Sequence, residues 1–187
     1  KEVMALSHRI TVLSRGKVME TLRREDTDPE ALADLMIGNL EAKDSIKVLE
    51  LLKETEIDKR DKHYTRPEEK KDKFGNLTVA LKDIHAVNDL GQPALKGISL
   101  DIYTGEILGM AGVSGNGQPE LADVLSGMRS PIQGSYQFEE IFLEKPTVNE
   151  MIDRGVGYIP EDRKRFGISS GMSIAYNFLL RDFRNPK

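Results

Sequence analysis

The stretch Ile107-Leu108-Gly109-Met110-Ala111-Gly112-Val113-Ser114-Gly115-Asn116-Gly117-Gln118-Pro119-Glu120-Leu121 decides how this chain is read. Ile107 to Ala111 form a short, continuous apolar run, the texture of a strand buried on both faces. Gly112, Gly115 and Gly117 follow at once. Pro119 then suits the first turn of a helix whose apolar face is Leu121, Val124, Leu125 and Met128, with Gly127 near its stop. Strand, glycine loop and helix in that order make a phosphate cradle. Glycines admit positive φ and let an anion approach the backbone, while the helix turns its positive end toward it.

In a P-loop, G-x-x-x-x-G-K-[ST], backbone amides surround the phosphates, the lysine reaches the terminal ones and the hydroxyl binds magnesium. Here Gln118 stands in the lysine position and Pro119 in that of the hydroxyl. Gln118 donates hydrogen bonds without positive charge, and Pro119 has neither hydroxyl nor backbone N–H. The candidate binding residues are Gly112, Ser114, Gly115, Asn116, Gly117, Gln118, Pro119 and Glu120, a cradle without its catalytic half. A nucleophile elbow, G-x-S-x-G, needs glycine where Asn116 stands, so Ser114 is not read as a hydrolase serine. A dinucleotide site wants G-x-G-x-x-G, whereas the spacing here is G-x-x-G-x-G, which keeps an oxidoreductase as a distant alternative. On the loop alone, a purely structural turn also stays open.

Working outward, Leu77, Val79 and Leu81, then Leu95, Ile98, Leu100 and Ile102, alternate with polar residues around the turn-rich 89–93, which predicts antiparallel strands. Short turns between strands disfavour a dinucleotide-binding domain, whose loop sits among strand-helix-strand units. Downstream, Thr147 caps a predicted helix through Val148, Met151 and Ile152 that stops at Gly155, and residues 156–160 read as another strand. The charged run Glu161-Asp162-Arg163-Lys164-Arg165 follows, where parallel sheets place ligand-contacting loops. By composition alone it is equally a solvated loop.

At the other end, residues 9–18 approach a strand pattern closed by a glycine turn at Gly16, and Asp28-Pro29-Glu30 opens a helix with Leu32, Leu35 and Met36 on one face and Gly38 as its stop. Between residues 41 and 74 more than half the positions are charged, and Ile46, Leu49 and Leu52 give only a brief apolar stripe, so this is read as a linker.

The 187 residues suffice for one average domain or parts of two. A net charge of −4 argues against a nucleic-acid partner. There is no cysteine, and His8, His63 and His85 have no ligand spacing, so no metal held by protein alone is expected; His8 is read as a packing or surface histidine. No run approaches the roughly 18–20 apolar residues of a membrane span.

Taken together, residues 95–100, 105–112 and 115–121 resemble the second nucleotide-binding domain of a duplicated ABC-importer ATPase, of the type that serves simple sugars and nucleosides. The run Gly157-Tyr158-Ile159-Pro160-Glu161-Asp162-Arg163, followed by Gly167, is similar to that domain too, and residues 2–17 resemble the segment after the switch histidine of the first. The resemblance implies an α/β P-loop NTPase (ABC ATPase) core with an antiparallel β subdomain, incomplete in this chain. Residues 1–40 would end the first nucleotide-binding domain, 41–76 form a charged linker, and 77–187 begin the second.

It further implies ATP as cofactor, magnesium carried on the nucleotide, a peripheral place on the cytoplasmic face of the membrane, and three partners: transmembrane permease subunits, a substrate-binding protein and the other nucleotide-binding domain. Glu161 stands where the family's loop offers a glutamine to magnesium and water, and residues 87–93 hold no aromatic to stack on adenine. The expectation is an asymmetric pair. The site on Gly112 to Gln118 would be a weak or regulatory half-site, not expected to hydrolyse ATP by itself, with nucleoside preferred over monosaccharide as cargo. The rival reading makes Glu161 to Arg165 and the adjoining Phe166-Gly167-Ile168 a docking surface without a nucleotide role.

Overall fold

The computed structural model describes residues 2–37 and 74–180. The predicted linker lies outside them except for residues 74–76, and His63 and the stop at Gly38 lie outside altogether.

Two sheets organise the described residues. The first contains the hairpin β1 (Arg9–Ser14) and β2 (Lys17–Arg23), with β5 (Leu108–Gly112) laid parallel to β1, giving the order β2-β1-β5. The second is antiparallel, β3 (Leu77–Val87), β4 (Pro93–Tyr103), β6 (Gln133–Phe138) and β7 (Ile141–Leu143), in the order β4-β3-β6-β7. The helices are α1 (Glu2–Leu6), α2 (Pro29–Ile37), α3 (Gln118–Leu125), α4 (Val148–Asp153) and α5 (Ile174–Leu179).

The alternation read from residues 77–102 becomes β3 and β4, paired from Leu77↔Tyr103 to Val87↔Pro93. Their inward side chains Leu81, Ile84, Leu95 and Ile98 are buried against Leu121 and Val124 of α3, with Tyr136 from β6 and Met151 from α4 closing the same core. A second core lies on the other side of the β2-β1-β5 sheet, where Ile10, Val12 and Ala111 meet Leu32 and Leu35 of α2. Asp28 caps α2 as expected, its Oδ1 accepting from the amides of Glu30 and Ala31 at 2.9 Å each.

Residues 9–18 are not one strand. A two-residue turn, Arg15 at φ +51° and Gly16 at φ +80°, folds them into the β1–β2 hairpin, the backbone that a primed turn requires. Ala94 O would lie 2.1 Å from a Cβ on Gly16, so only glycine fits there.

One expectation holds and two, for residues 156–160 and for Met128, are corrected. The run 107–111 gives β5 from Leu108 onward, covered on both faces, with Leu108 and Met110 against the first core and Ala111 in the second, and among the described residues it pairs with β1 alone. Residues 156–160 are not a strand. No described strand lies alongside to complete a ladder, and Ile159 remains 83% exposed, so β propensity there finds nothing to pair with. Met128 likewise falls outside the apolar face assigned to it, because α3 ends at Leu125 and Gly127 turns the chain at φ +77°. Thr147 caps α4 as read, its Oγ1 accepting from the Glu150 amide at 3.3 Å.

Candidate functional site

The sheet places β5 so that its last residue, Gly112, opens the loop beside β1. A Cβ on Gly112 would lie 2.8 Å from Leu13 O and 2.4 Å from Gln118 Nε2, so glycine is what lets strand, loop and helix approach this closely. Gly115 (φ +85°) and Gly117 (φ +100°) are both left-handed, and Gly117 is the N-cap residue of α3. The turn closes on an Asn116 amide to Val113 O bond of 3.2 Å, while the amides of Gly115 and Gly117 donate to nothing among the described residues. With the unsatisfied first-turn amides of α3 they leave several donors unpaired along one short stretch of loop and helix start. Gly115 faces open space.

Gln118 folds back into this loop. Its Nε2 donates to Val113 O at 3.2 Å, and its Oε1 is buried with no hydrogen-bond partner. The side chain therefore spans the loop from within. Pro119 is the second residue of α3 and removes one first-turn donor, and Glu120 puts a carboxylate in that same turn. That carboxylate complements the helix dipole and opposes an incoming anion.

The rear of the loop is held by contacts that no local sequence signal announces. Asn116 Oδ1 accepts from the Arg15 amide at 2.8 Å, and Asn116 O accepts from the Gly16 amide at 3.2 Å. Gly16 O in turn accepts from the Lys96 amide of β4 at 2.8 Å. The β1–β2 turn is thus wedged between the glycine loop and the antiparallel sheet. Arg15 and Asn116 are 101 residues apart, which is why motif reading found Asn116 and missed its partner.

At its far end α3 is tied to the β3–β4 turn. Arg129 donates to Val87 O (2.7 Å), Asp89 (2.7 Å) and Asp123 (3.0 Å), and the hydrogen bond to Asp89 leads in raising its already high pKa. Burial raises the pKa of Tyr158, with the carboxylates of Asp123 and Glu161 adding to the effect.

Glu161 is not brought into the loop. Its carboxylate makes no hydrogen bond or ion pair there, and the charged run around it is exposed. Asp162 caps the following turn, accepting from the Arg165 amide at 3.1 Å, and the Arg165 guanidinium lies 4.9 Å from the Phe166 ring. His8 is structural: its backbone amide donates to Ile107 O, and its Nδ1 accepts from the Ile107 amide, both at 2.9 Å.

The family model described as ABC transporter matches residues 95–177, from β4 through the glycine loop to α5. Residues 95–177 carry an ABC transporter domain. Its fold is accordingly that of an ABC ATPase, a P-loop NTPase with an antiparallel sheet, present here as a partial domain. A glucose import ATP-binding protein of Haloferax volcanii is 32% identical over 187 residues, which is 100% of this chain and 30% of that protein. A nucleoside import ATP-binding protein of Lactococcus lactis subsp. cremoris is 30% identical over 185 residues, 99% of this chain and 32% of its own length. A guanosine import ATP-binding protein of Bacillus subtilis is 30% identical over 175 residues, 94% and 30% respectively. The chain therefore spans about a third of the length of these ABC transporter relatives. No helix among the described residues is long and apolar enough to cross a membrane.

Proposed function

We propose that this chain is part of the ATP-binding subunit of an ABC importer for nucleosides or simple sugars, and that its glycine loop is a weak, non-catalytic half-site for ATP. The observation that carries the reading is the loop itself. Gly115 and Gly117 hold it open in left-handed conformations at the start of α3, with amide donors free, while the lysine position holds Gln118. Such a cradle supplies neutral hydrogen bonds and the helix dipole. It lacks the fixed charge that stabilises a transferring phosphoryl group, and Glu120 subtracts from what remains. Magnesium finds no hydroxyl at Pro119 and would arrive on the nucleotide's own oxygens.

In this reading residues 1–40 close one nucleotide-binding domain, residues 41–76 connect, and residues 77–187 open a second. The binding residues are Gly112, Ser114, Gly115, Asn116, Gly117, Gln118, Pro119 and Glu120, with Glu161 joining only when the two domains close on nucleotide. The intact protein hydrolyses ATP at the composite site that this loop does not form. It lies peripherally on the cytoplasmic face of the membrane, against permease subunits fed by a substrate-binding protein. The similarity to nucleoside and guanosine import ATP-binding proteins supports nucleosides as cargo, and the glucose import relative keeps sugars open.

Titrating MgATP into the full chain and its Gln118→Lys variant tests the half-site. Weak binding that tightens about tenfold or more in the variant is expected, the worth of one charge-assisted contact. Tight binding by the unchanged chain, or hydrolysis at an ordinary rate, would overturn it.

A specific observation favours a second role for the neighbouring segment. Ile159, Phe166, Ile174 and Phe178 are 83%, 67%, 78% and 79% exposed, an apolar face that in a partial domain is open to the rest of that domain as well as to a partner. On this reading the segment docks on the permease subunits. Loss of subunit coupling with unchanged ATP affinity in Arg163→Ala supports docking, and the reverse supports a nucleotide role.

A further inference from the structure

We infer that Asn116 is a site of spontaneous covalent modification: its side-chain amide cyclises onto the Gly117 backbone nitrogen and reopens as aspartate or isoaspartate, which puts a negative charge into the glycine loop. The sequence singles out this pair. Asn116-Gly117 is the only asparagine followed by glycine in the 187 residues. A side chain on the following residue hinders ring closure, and glycine has none. The fold keeps the pair together. Gly117 stands at φ +100°, and a Cβ there would lie 2.9 Å from Leu95 Cδ2 and 3.1 Å from Ala94 O, so packing holds position 117 to glycine. On the other side Gly115 faces open space at φ +85°, and Asn116 therefore lies between two glycines whose freedom lets its backbone turn toward the ring geometry.

The reacting groups are also uncommitted. The Gly117 amide donates to nothing among the described residues, and Asn116 Nδ2, the departing group, has no partner there either; Asn116 spends only its Oδ1, on the Arg15 amide at 2.8 Å. Other asparagines are placed differently. Asn177 Nδ2 donates to Ser169 O, Met172 O and Ser173 O with Phe178 following, and Asn88 Nδ2 reaches Gln92 Oε1 with Asp89 following. In the reaction hydroxide removes the Gly117 N–H proton and the nitrogen attacks Asn116 Cγ. The N–Cγ bond forms as the Cγ–Nδ2 bond breaks, and Nδ2 leaves as ammonia with a proton from water. Water then opens the imide ring. Cleavage at Cγ gives aspartate, and cleavage at the Asn116 main-chain carbonyl carbon gives isoaspartate, with no oxidation or reduction in either case. All the reacting atoms belong to residues 116 and 117, so the step does not depend on the β1–β2 turn. The modification stands without the half-site reading, whereas its effect on ATP rests on it: a carboxylate in the loop repels the phosphate oxygens that the free amides would hold.

The test is peptide mapping by mass spectrometry after the full chain has aged in mildly alkaline buffer, with and without MgATP. Expected is conversion at Asn116 roughly tenfold faster than at Asn88 or Asn177, whose amide nitrogens are hydrogen-bonded. MgATP should slow it about tenfold when present at about ten times its dissociation constant, because only the empty loop reacts. Asn116→Asp, which builds in one product, should bind MgATP roughly tenfold more weakly than the unchanged chain at low ionic strength, with its melting temperature measured alongside to show that it folds. Conversion at Asn116 no faster than at Asn88 or Asn177 overturns the inference and leaves the half-site standing. Fast conversion that MgATP does not slow, in a chain that binds no MgATP, overturns the half-site and leaves the modification standing. Equal MgATP affinity in a folded Asn116→Asp overturns the effect of the new charge on the loop.

Discussion

The carboxylate of Glu106, its side chain wholly buried, accepts from the guanidinium of Arg9 across 97 residues of sequence and from the amide of Tyr103 at 3.1 Å. One side chain thereby joins the start of β1 to the turn that feeds β5, while Arg9 also reaches Asp101 O at 2.6 Å and packs 5.3 Å over the Tyr103 ring. Glu106→Ala removes the buried carboxylate, strips the half-buried Arg9 of its partner and leaves the Tyr103 amide unsatisfied. The expected cost is about 3 kcal/mol, read as a fall in denaturation midpoint at unchanged m-value. A change below a few tenths would mean that solvent screens the pair.

Gly117→Ala strains the loop twice. The backbone is at φ +100°, and the new Cβ would lie 2.9 Å from Leu95 Cδ2 and 3.1 Å from Ala94 O. A loss of about 1–3 kcal/mol is expected, with the start of α3 shifted and ATP binding abolished. Gly115→Ala shares the left-handed strain and meets no neighbour, so it should be milder. The pair of melting temperatures checks the order.

Tyr136 is 1% exposed, donates to Leu125 O at 3.0 Å, and burial pushes its pKa from 10.0 to about 12. Because the folded chain holds this proton more tightly than the unfolded one, its contribution is complete below pH 10. It is lost as pH rises through about 12, at roughly 1.4 kcal/mol per pH unit in between. Stability measured by urea titration should therefore fall over this window, and Tyr136→Phe should flatten the fall while costing about 1 kcal/mol at neutral pH for the lost hydrogen bond.

Glu20 on β2 repeats this sign in an acidic window. Its Oε2 is buried without a partner, and desolvation raises its pKa. The fold thus disfavours the charged carboxylate, a penalty that is present above its folded pKa and vanishes as pH falls below the unfolded value. Glu20→Gln is expected to raise the melting temperature at pH 7 and to lose that advantage near pH 4. An advantage that does not depend on pH would point to packing instead of charge.

What could be read in advance was whatever depends on near neighbours. The strand-loop-helix at Gly112, the Asp28 and Thr147 caps and the alternation of β3 and β4 all rest on residues a few positions apart, where steric and hydrogen-bonding rules act directly. Strands β6 and β7 escaped notice although Tyr136 and Phe138 alternate and Glu139-Glu140 make their turn, because Gly134 and two glutamines dilute the pattern. Residues 156–160 were over-read for the converse reason. Their β-branched and aromatic content is genuine, but a strand exists only with a neighbour, and neighbours are a property of the whole sheet. At the site, the loop was legible and its support was not. Arg15 and Gly16 reach Asn116 through a fold-level contact, and neither side of it carries a spacing that names the other.

The parallel pairing of β1 with β5, Arg9 beside Leu108 through Leu13 beside Gly112, has a kinetic consequence. Two of the three pairings of the antiparallel sheet, β3–β4 and β6–β7, join neighbouring strands and the third, β3–β6, joins residues 48–59 apart, whereas this ladder must bring together Arg9 and Leu108 from either side of residues 38–73. Loop-closure entropy is spent before any contact repays it. The glycine loop, whose rear wall is the β1–β2 turn, would then acquire its shape last during refolding and lose it first when the chain begins to open. Amide exchange should be faster at Asn116 and Gly117 than at Ile84 or Ile98, and equal protection at both would refute that order.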